Sequence, residues 1–370
     1  MIYFDNAATG GRKPDCVLTA VRAAVRTCAN AGRGGHKLAL SCLNRVQRCR
    51  NALNGYFDGF GFDRVVFTKN CTEALNILLF GVLQRGDHVV TTAMEHNSVL
   101  RPLNRLQAAR GVSFTVCPLT NGNVTADSVR EALRPNTKAV IVTAASNVTG
   151  AMPPLKEIRN VLPDGVLFFV DGAQGGGHLP LKMQEIGIDG LALAGHKGLF
   201  SIQGSGALLF SNRVNPDPLL FGGTGTTSFS LEMPDFYPEA LEAGTLCFPA
   251  ISALLEGIGY LTENEKRIAA RLNELTAYFL SGLSRQPTYA AYSRPNPCGI
   301  TAFAHRNLPS EQVAERLSTE FDIAVRGGLH CAPKMHEALG SLDDGLVRVS
   351  FSHFNSETEI DVLLTALKKF

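Results

Sequence analysis

Two residues at the ends of apolar runs could carry the central chemistry of this chain. Gly165-Val-Leu-Phe-Phe-Val-Asp171 has the pattern of a buried strand that ends in a carboxylate, and Gly172-Ala-Gln174 follows it. A carboxylate there needs a cationic partner. A protonated pyridine nitrogen would serve, because the ion pair keeps the ring an electron sink, the electronic task a protein performs for pyridoxal 5′-phosphate (PLP). The plainer alternative is a strand-end Asp that caps the following turn. Twenty-six residues on, after another apolar run, stands Gly195-His196-Lys197-Gly198. A lysine at the mouth of a sheet can be desolvated, its pKa lowered, and so become a nucleophile toward an aldehyde. Alone it would read as a surface lysine in a turn; paired with Asp171 at an adjacent strand end, it points to PLP.

A phosphate needs a third element. Phe67-Thr-Lys-Asn-Cys-Thr72-Glu-Ala-Leu reads as a strand turning into a helix with Thr72 at its N-terminus, where free N–H groups and the helix dipole suit a dianion. An ordinary Thr N-cap is the alternative. His96, in Met94-Glu-His-Asn97, could stack on a ring from its other face or act as a structural hydrogen-bonder. The nine cysteines show no CxxC pair and no metal-ligand spacing, so we expect them reduced and mostly buried, with no metal site.

The elements that must position these residues alternate. Strand-like runs recur at Val65–Phe67, His88–Thr91, Ser113–Val116, Ala139–Thr143, Val166–Asp171, Leu191–Ala194 and Ala207–Phe210. Helical spacing lies between them at Thr72–Leu83, Ser98–Ala109, Ala126–Leu133 and Leu155–Val161, which predicts an α/β fold with a mostly parallel seven-stranded sheet. The last connection is too short for a crossover helix, so the final strand should run antiparallel. A Gly- and Pro-rich loop, Asn212–Pro249, leads into a long amphipathic helix from Ala250 to Leu283 that should bridge two domains. The rest reads as a smaller α+β unit, with Ser310 and Ser356 as N-caps. We therefore expect a large domain over 1–250, its N-terminal segment contributing to the small one, and a small domain over 251–370 that includes the connecting helix.

With 370 residues, 45% hydrophobic and 18% charged, the chain can bury a large core. A net charge of +2 with dispersed Lys and Arg gives no reason to expect nucleic acid. No apolar run approaches the roughly 20 residues of a membrane span, and no leader pattern opens the chain, so a cytoplasmic protein is expected.

Six segments, in order and spacing, make the chain similar to the class V aminotransferase-fold enzymes, and within them to the cysteine desulfurase and selenocysteine lyase branch. They are Tyr3-Phe-Asp5-Asn-Ala-Ala8-Thr9, Ala145-Ser-Asn147-Val-Thr-Gly150, Val170-Asp171-Gly-Ala-Gln174, Gly195-His-Lys197, Glu242-Ala-Gly244-Thr245 and Arg326-Gly-Gly-Leu-His-Cys331-Ala. The resemblance implies a PLP enzyme of fold-type I and a homodimer with a shared active site. Lys197 would be the Schiff-base lysine, Asp171 the pyridinium partner, Gln174 a hydrogen bond to the phenolic oxygen and His96 the stacking ring. Cys71, Thr72 and His196 would surround the phosphate, with Gly244 and Thr245 reaching it from the second subunit. Asn147 and Arg348 would hold the substrate carboxylate, while His36 and Arg326 match pocket positions.

Cys331 decides the reaction. In the desulfurases a cysteine here attacks the sulfur of the substrate and carries it off as a persulfide, releasing L-alanine; a sulfur-acceptor protein then takes it. Arg326 or His330 could favour the thiolate, and Gly327-Gly328 could let the loop move. The short interval from Arg326 to Arg348 resembles the group II branch. Three positions depart from the family: Ala194 and Cys71 replace hydroxyl residues at the phosphate, and Leu329 stands where a second His is frequent. An aminotransferase or β-lyase acting on another small amino acid is the alternative.

Overall fold

The computed structural model describes residues 1–370. A short β1 (Ile2–Tyr3) opens the chain, and seven strands then form the central sheet: β2 (Val65–Thr68), β3 (His88–Thr92), β4 (Ser113–Cys117), β5 (Thr137–Thr143), β6 (Leu167–Asp171), β7 (Gly190–Ala194) and β8 (Gly206–Phe210). Their order is β2-β8-β7-β6-β5-β3-β4. Strands β3 to β7 pair in parallel, and β8 runs antiparallel to both β7 and β2, as its short connection requires.

The helices in the chain's first part are α1 (Asp15–Thr27), α2 (Lys37–Tyr56), α3 (Cys71–Val82), α4 (Asn97–Arg110), α5 (Ala126–Ala132), α6 (Leu155–Asn160), α7 (Met183–Ile186) and α8 (Phe248–Leu283). Both faces of the sheet are covered, so its strands are apolar at successive positions rather than alternating with polar residues. Val66, Ile141, Phe169 and Leu208 pack to one side with Leu75 and Leu103, while Val140, Phe168, Leu191 and Leu209 pack to the other with Ile158 and Leu254. Each such fully buried side chain contributes about 1.5–3 kcal/mol.

The C-terminal part adds β9 (Tyr289–Ala291), β10 (Ile300–His305), α9 (Ser310–Phe321), β11 (Ile323–Ala324), α10 (Pro333–Leu339), β12 (Val347–Ser350) and α11 (Glu357–Leu367). Strands β12, β10 and β9 make an antiparallel sheet, and β1 pairs with β11, which ties the N-terminus to this part of the molecule. Ser356 caps α11 in a reciprocal capping box with Glu359. Ser310 does not cap α9: Pro309 holds the cap position, and the Ser310 hydroxyl donates to Asp344 O at 2.6 Å and accepts from Gly328 N at 2.9 Å. Helix α2, absent from the sequence expectations, hides its pattern by burying a charged residue, Arg50, which pairs with Glu242.

Candidate active site

The carboxyl ends of β5, β6 and β7 lie in register, Thr143 beside Asp171 and Asp171 beside Ala192, so residues just past these ends converge on one cleft. A cavity of about 90 Å³ sits there, lined among others by Thr72, His96, Asn147, Asp171, Gln174 and Lys197. Asp171 is 2% exposed. Ala173 N donates to its Oδ1 at 2.9 Å and the Cys71 thiol to the same oxygen at 3.3 Å, which leaves Oδ2 for a donor in the cavity. The Cys71 thiol is thus directed at Asp171, and burial and that carboxylate hold its pKa well above the ordinary thiol range. Lys197 has its pKa lowered, chiefly by burial, against the opposing pull of Asp171.

The turn bearing Lys197 is held from behind. His196 O accepts from Gly10 N at 3.0 Å and from Lys13 Nζ at 2.9 Å, and His196 Nδ1 meets Thr9 Oγ1 at 3.1 Å. Burial, then the charges of Lys197 and Lys13, depress His196 to about 4, so its ring is neutral at pH 7.

Thr72 does not cap α3. Asn70 does, accepting Glu73 N at 2.9 Å, and the first two helical N–H groups, those of Cys71 and Thr72, remain for an anion. His96 caps α4: its Nδ1 accepts Ser98 N at 3.0 Å and lies 2.8 Å from Ser98 Oγ, which in turn lies 2.8 Å from Thr72 Oγ1.

The opposite wall comes from the C-terminal part. Arg348, on β12, is 1% exposed; its Nη2 pairs with Asp5 Oδ1 at 2.7 Å and its Nη1 donates to Asn147 O at 3.0 Å. Asn147 Nδ2 donates to His330 O at 2.7 Å, and Asn97 N donates to Cys331 O at 2.7 Å. Two groups of the sheet side therefore grip the backbone beside the Cys331 thiol, which is half-buried. Asn147 Oδ1 and Arg348 Nε are buried without partners.

A family model for aminotransferase class-V matches residues 2–363. The chain belongs to the aminotransferase class-V family. Among its relatives, a probable cysteine desulfurase of Methanothermobacter thermautotrophicus is 32% identical over 379 residues, covering 100% of this chain and 94% of the relative. One from Pyrococcus abyssi is 30% identical, with the same coverage of 100% and 94%. Of solved structures, an apo cysteine desulfurase from Thermococcus onnurineus superimposes with a TM-score of 0.91 at 30% identity, covering 100% of this chain and 94% of that one. A cysteine desulfurase from Escherichia coli gives 0.88 at 25% identity, covering 99% and 94%.

This class-V chain departs from the sequence expectations at several places. His330 is not a cation that could favour a Cys331 thiolate: its Nε2 donates to Leu346 O at 2.9 Å, and burial with Arg348 nearby pushes its pKa down to about 2. Arg326 remains beside the loop, its backbone bridged to Arg348. Gly327 is no open hinge. A Cβ there would lie 2.5 Å from Ser310 O, so glycine is needed for close approach to the start of α9. Five of the nine cysteines are buried; Cys16, Cys28 and Cys247 are exposed, and all nine are free thiols.

His36, Gly244 and Thr245 are not gathered with Lys197 in the single class-V chain. His36 caps α2, accepting Ala39 N at 3.3 Å, while Gly244 and Thr245 are exposed in the loop before α8. Ser98, Asp5 and Glu95, to which no sequence motif assigns a role, bear on the cleft through Thr72 and His96, Arg348 and Thr143. Ser98 could have been suspected from its place two residues after His96, at the start of an amphipathic run; Asp5 pairs across 343 residues with Arg348, which no local pattern reveals.

Proposed function

We propose that the chain is a PLP-dependent cysteine desulfurase that moves sulfur from L-cysteine to Cys331 and releases L-alanine. The observation that carries this reading is the double grip of Asn147 and Asn97 on the His330–Cys331 backbone, which ties a thiol residue to Asn147, a residue that lines the Lys197 cavity and whose backbone oxygen also accepts from Arg348.

The residues present suit PLP. Asp171 offers an unbonded oxygen in a buried site to a protonated ring nitrogen, Lys197 an amine of lowered pKa to an aldehyde, and the N–H groups of Cys71 and Thr72 the start of a helix to a phosphate. His196, Gln174 and the flanking His96 complete the holding set. When bound, PLP supplies an electron-withdrawing ring that lowers the barrier to bond changes at the substrate's α- and β-carbons. Ala194 and Cys71 offer that phosphate no hydroxyl, so Thr72, His196 and the backbone carry more of its binding.

Arg348 and Asn147 would receive the substrate carboxylate, a planar anion for which a guanidinium is matched. Their unpaired Nε and Oδ1 mark where the wall is unsatisfied until a ligand arrives. Lys197 would carry the proton between substrate carbons. The Cys331 thiolate attacks the substrate sulfur; the carbon–sulfur bond breaks, its electron pair stays on the β-carbon and a proton joins it. Cysteine plus thiol thus gives alanine plus persulfide, with atoms and electrons in balance, and the terminal sulfur passes to an acceptor protein. L-selenocysteine, with the same carboxylate and amine, would be held by the same residues.

Two copies of the chain would share the sites. Gly244 and Thr245 are exposed, Arg33 braces Gly244 O at 2.6 Å, and the same loop presents Phe221, Phe229 and Leu231 to solvent at 77%, 93% and 104% exposure, apolar surface that a second copy would cover. No helix is long and apolar enough to cross a membrane; nine free thiols suit the reducing cytoplasm, where we place the enzyme.

The test is product analysis. PLP-loaded protein mixed with L-cysteine should form alanine. Pyruvate in its place would mean β-elimination, dependence on a 2-oxo acid would mean transamination, and no product despite bound PLP would overturn the proposal.

A further inference from the structure

The hydroxyl of Ser98 stands between two groups of the cleft that come from different helices, 2.8 Å from His96 Nδ1 and 2.8 Å from Thr72 Oγ1. We propose that Ser98 is a positioning residue that fixes His96 in one tautomer, with its proton on Nε2, and ties that ring to the anion-binding end of the cavity through Thr72.

The directions of the hydrogen bonds follow from what each atom can do. Ser98 N is a backbone donor and points at His96 Nδ1 at 3.0 Å, so Nδ1 is an acceptor and carries no proton. The Ser98 hydroxyl, 2.8 Å from the same nitrogen, must then donate to it, and its own lone pair is left to accept from the Thr72 hydroxyl. A chain Thr72 → Ser98 → His96 results. Burial holds the ring near a pKa of about 4, with Lys197, Arg326 and Arg348 adding to the depression and Asp171 opposing it, so at neutral pH the imidazole has a single proton. With Nδ1 occupied, that proton is on Nε2, the nitrogen left to meet substrate.

Three consequences distinguish this from a plain helix cap. His96 acts as a hydrogen-bond and proton donor from Nε2 and cannot accept there until it has given the proton up. Nδ1 is held by two donors, the Ser98 backbone N–H and its hydroxyl, which share that nitrogen's one lone pair. An anion that takes the Thr72 hydroxyl removes the donor to Ser98 Oγ, so occupancy of the phosphate end is felt at the ring. This inference deepens the desulfurase reading and rests on it for the chemistry His96 serves, whereas the tautomer itself does not depend on which product forms.

The experiment is nitrogen NMR on full-length protein labelled with ¹⁵N-histidine, with and without PLP, using His96→Gln to assign the resonance. Wild type should show an unprotonated, pyridine-type Nδ1 and a protonated Nε2. In Ser98→Ala the backbone donor to Nδ1 remains and only the hydroxyl is lost, so a minor Nδ1-protonated population should appear beside the main one and kcat for alanine formation fall about five- to tenfold, the loss of one hydrogen bond, with KM for L-cysteine within about twofold. Ser98→Thr, which keeps the hydroxyl, should restore both readouts. A wild-type ring protonated at Nδ1 would overturn the proposal, and so would a Ser98→Ala protein with an unchanged tautomer. If Ser98→Ala does not fold, the wild-type spectrum and Ser98→Thr still decide. Absence of alanine from L-cysteine would strike the desulfurase reading while leaving the NMR result in force.

Discussion

The two walls of the cleft are built in contrasting ways. On the sheet wall, Asp171, Lys197, His196 and Thr72 follow strand ends, and the turns that carry them are braced by their neighbours, as Gly10 and Lys13 brace His196. On the facing wall, Arg348 and His330 each keep one buried nitrogen without a partner, as does Asn147 Oδ1 where the sheet side meets them, and His330 and Cys331 hold left-handed backbone conformations at φ 49° and 57°. Leaving a buried polar group unpaired costs about 1–3 kcal/mol, and non-glycine residues in that region cost about 1–3 kcal/mol more each. The first wall is prepared for a permanent tenant. The second carries strain and open valences of the kind a transient, charged ligand relieves.

If the sheet wall supplies the chemistry common to the family, removing its amine should do most damage. Lys197→Ala should lower alanine formation at least about 10³-fold and abolish covalent retention of PLP, which absorbance and dialysis would check. The melting temperature should hold or rise, since a buried cation of depressed pKa is gone. A merely modest loss would mean that the walls had been assigned the wrong tasks.

Cys331→Ala should cut turnover of L-cysteine about 10²-fold or more while PLP absorption stays as in wild type. Selenocysteine turnover should fall far less, because a carbon–selenium bond is weaker. Equal losses on both substrates would erase the distinction between a thiol that receives sulfur and one that only shapes the cleft.

Arg348→Lys keeps the charge but not the fork, and it should raise KM for L-cysteine about 10-fold with a smaller change in kcat. Steady-state kinetics would show it. Neither Arg348 nor its partner Asp5 touches the Asp171 oxygens, so the change leaves the ring-nitrogen partner intact.

The smallest effect expected is on stability. Glu95 is fully buried at the carboxyl ends of β3 and β5; its Oε1 accepts from Thr92 Oγ1 at 2.6 Å and Thr143 N at 3.0 Å, and its Oε2 has no partner. Burial raises its pKa from 4.5 to about 8. The fold thus favours the protonated acid, so its contribution is full below pH 4.5 and is lost as pH rises toward 8. Glu95→Gln, which cannot ionise, should gain melting temperature relative to wild type progressively across that window. A difference that stays flat with pH would contradict it.

What was legible in the sequence follows the range over which each interaction acts. The seven sheet strands, helix α9 and the N-cap at Ser356 were visible because apolar runs and caps are local signals. Asp171 and Lys197 were visible for the same reason, each ending or following such a run. Ser310 misled because a serine before a helical pattern is a good cap only when nothing else claims its hydroxyl, and Asp344 and Gly328 do. His330 misled similarly: sequence proximity to Cys331 suggested a helper to the thiol, whereas its ring is spent on Leu346 O. The Arg348–Asp5 pair and the grip of Asn147 on His330 O join residues 343 and 183 positions apart, and only the folded chain shows them.

The central claim is that Cys331 receives the sulfur that leaves the substrate. PLP-loaded protein given one equivalent of L-cysteine, alkylated and digested, should yield by mass spectrometry a peptide with one additional sulfur on Cys331 and on no other cysteine, in proportion to the alanine formed. Alanine without that sulfur on Cys331, or sulfur carried instead on Cys71 or the exposed Cys16, Cys28 and Cys247, would contradict it.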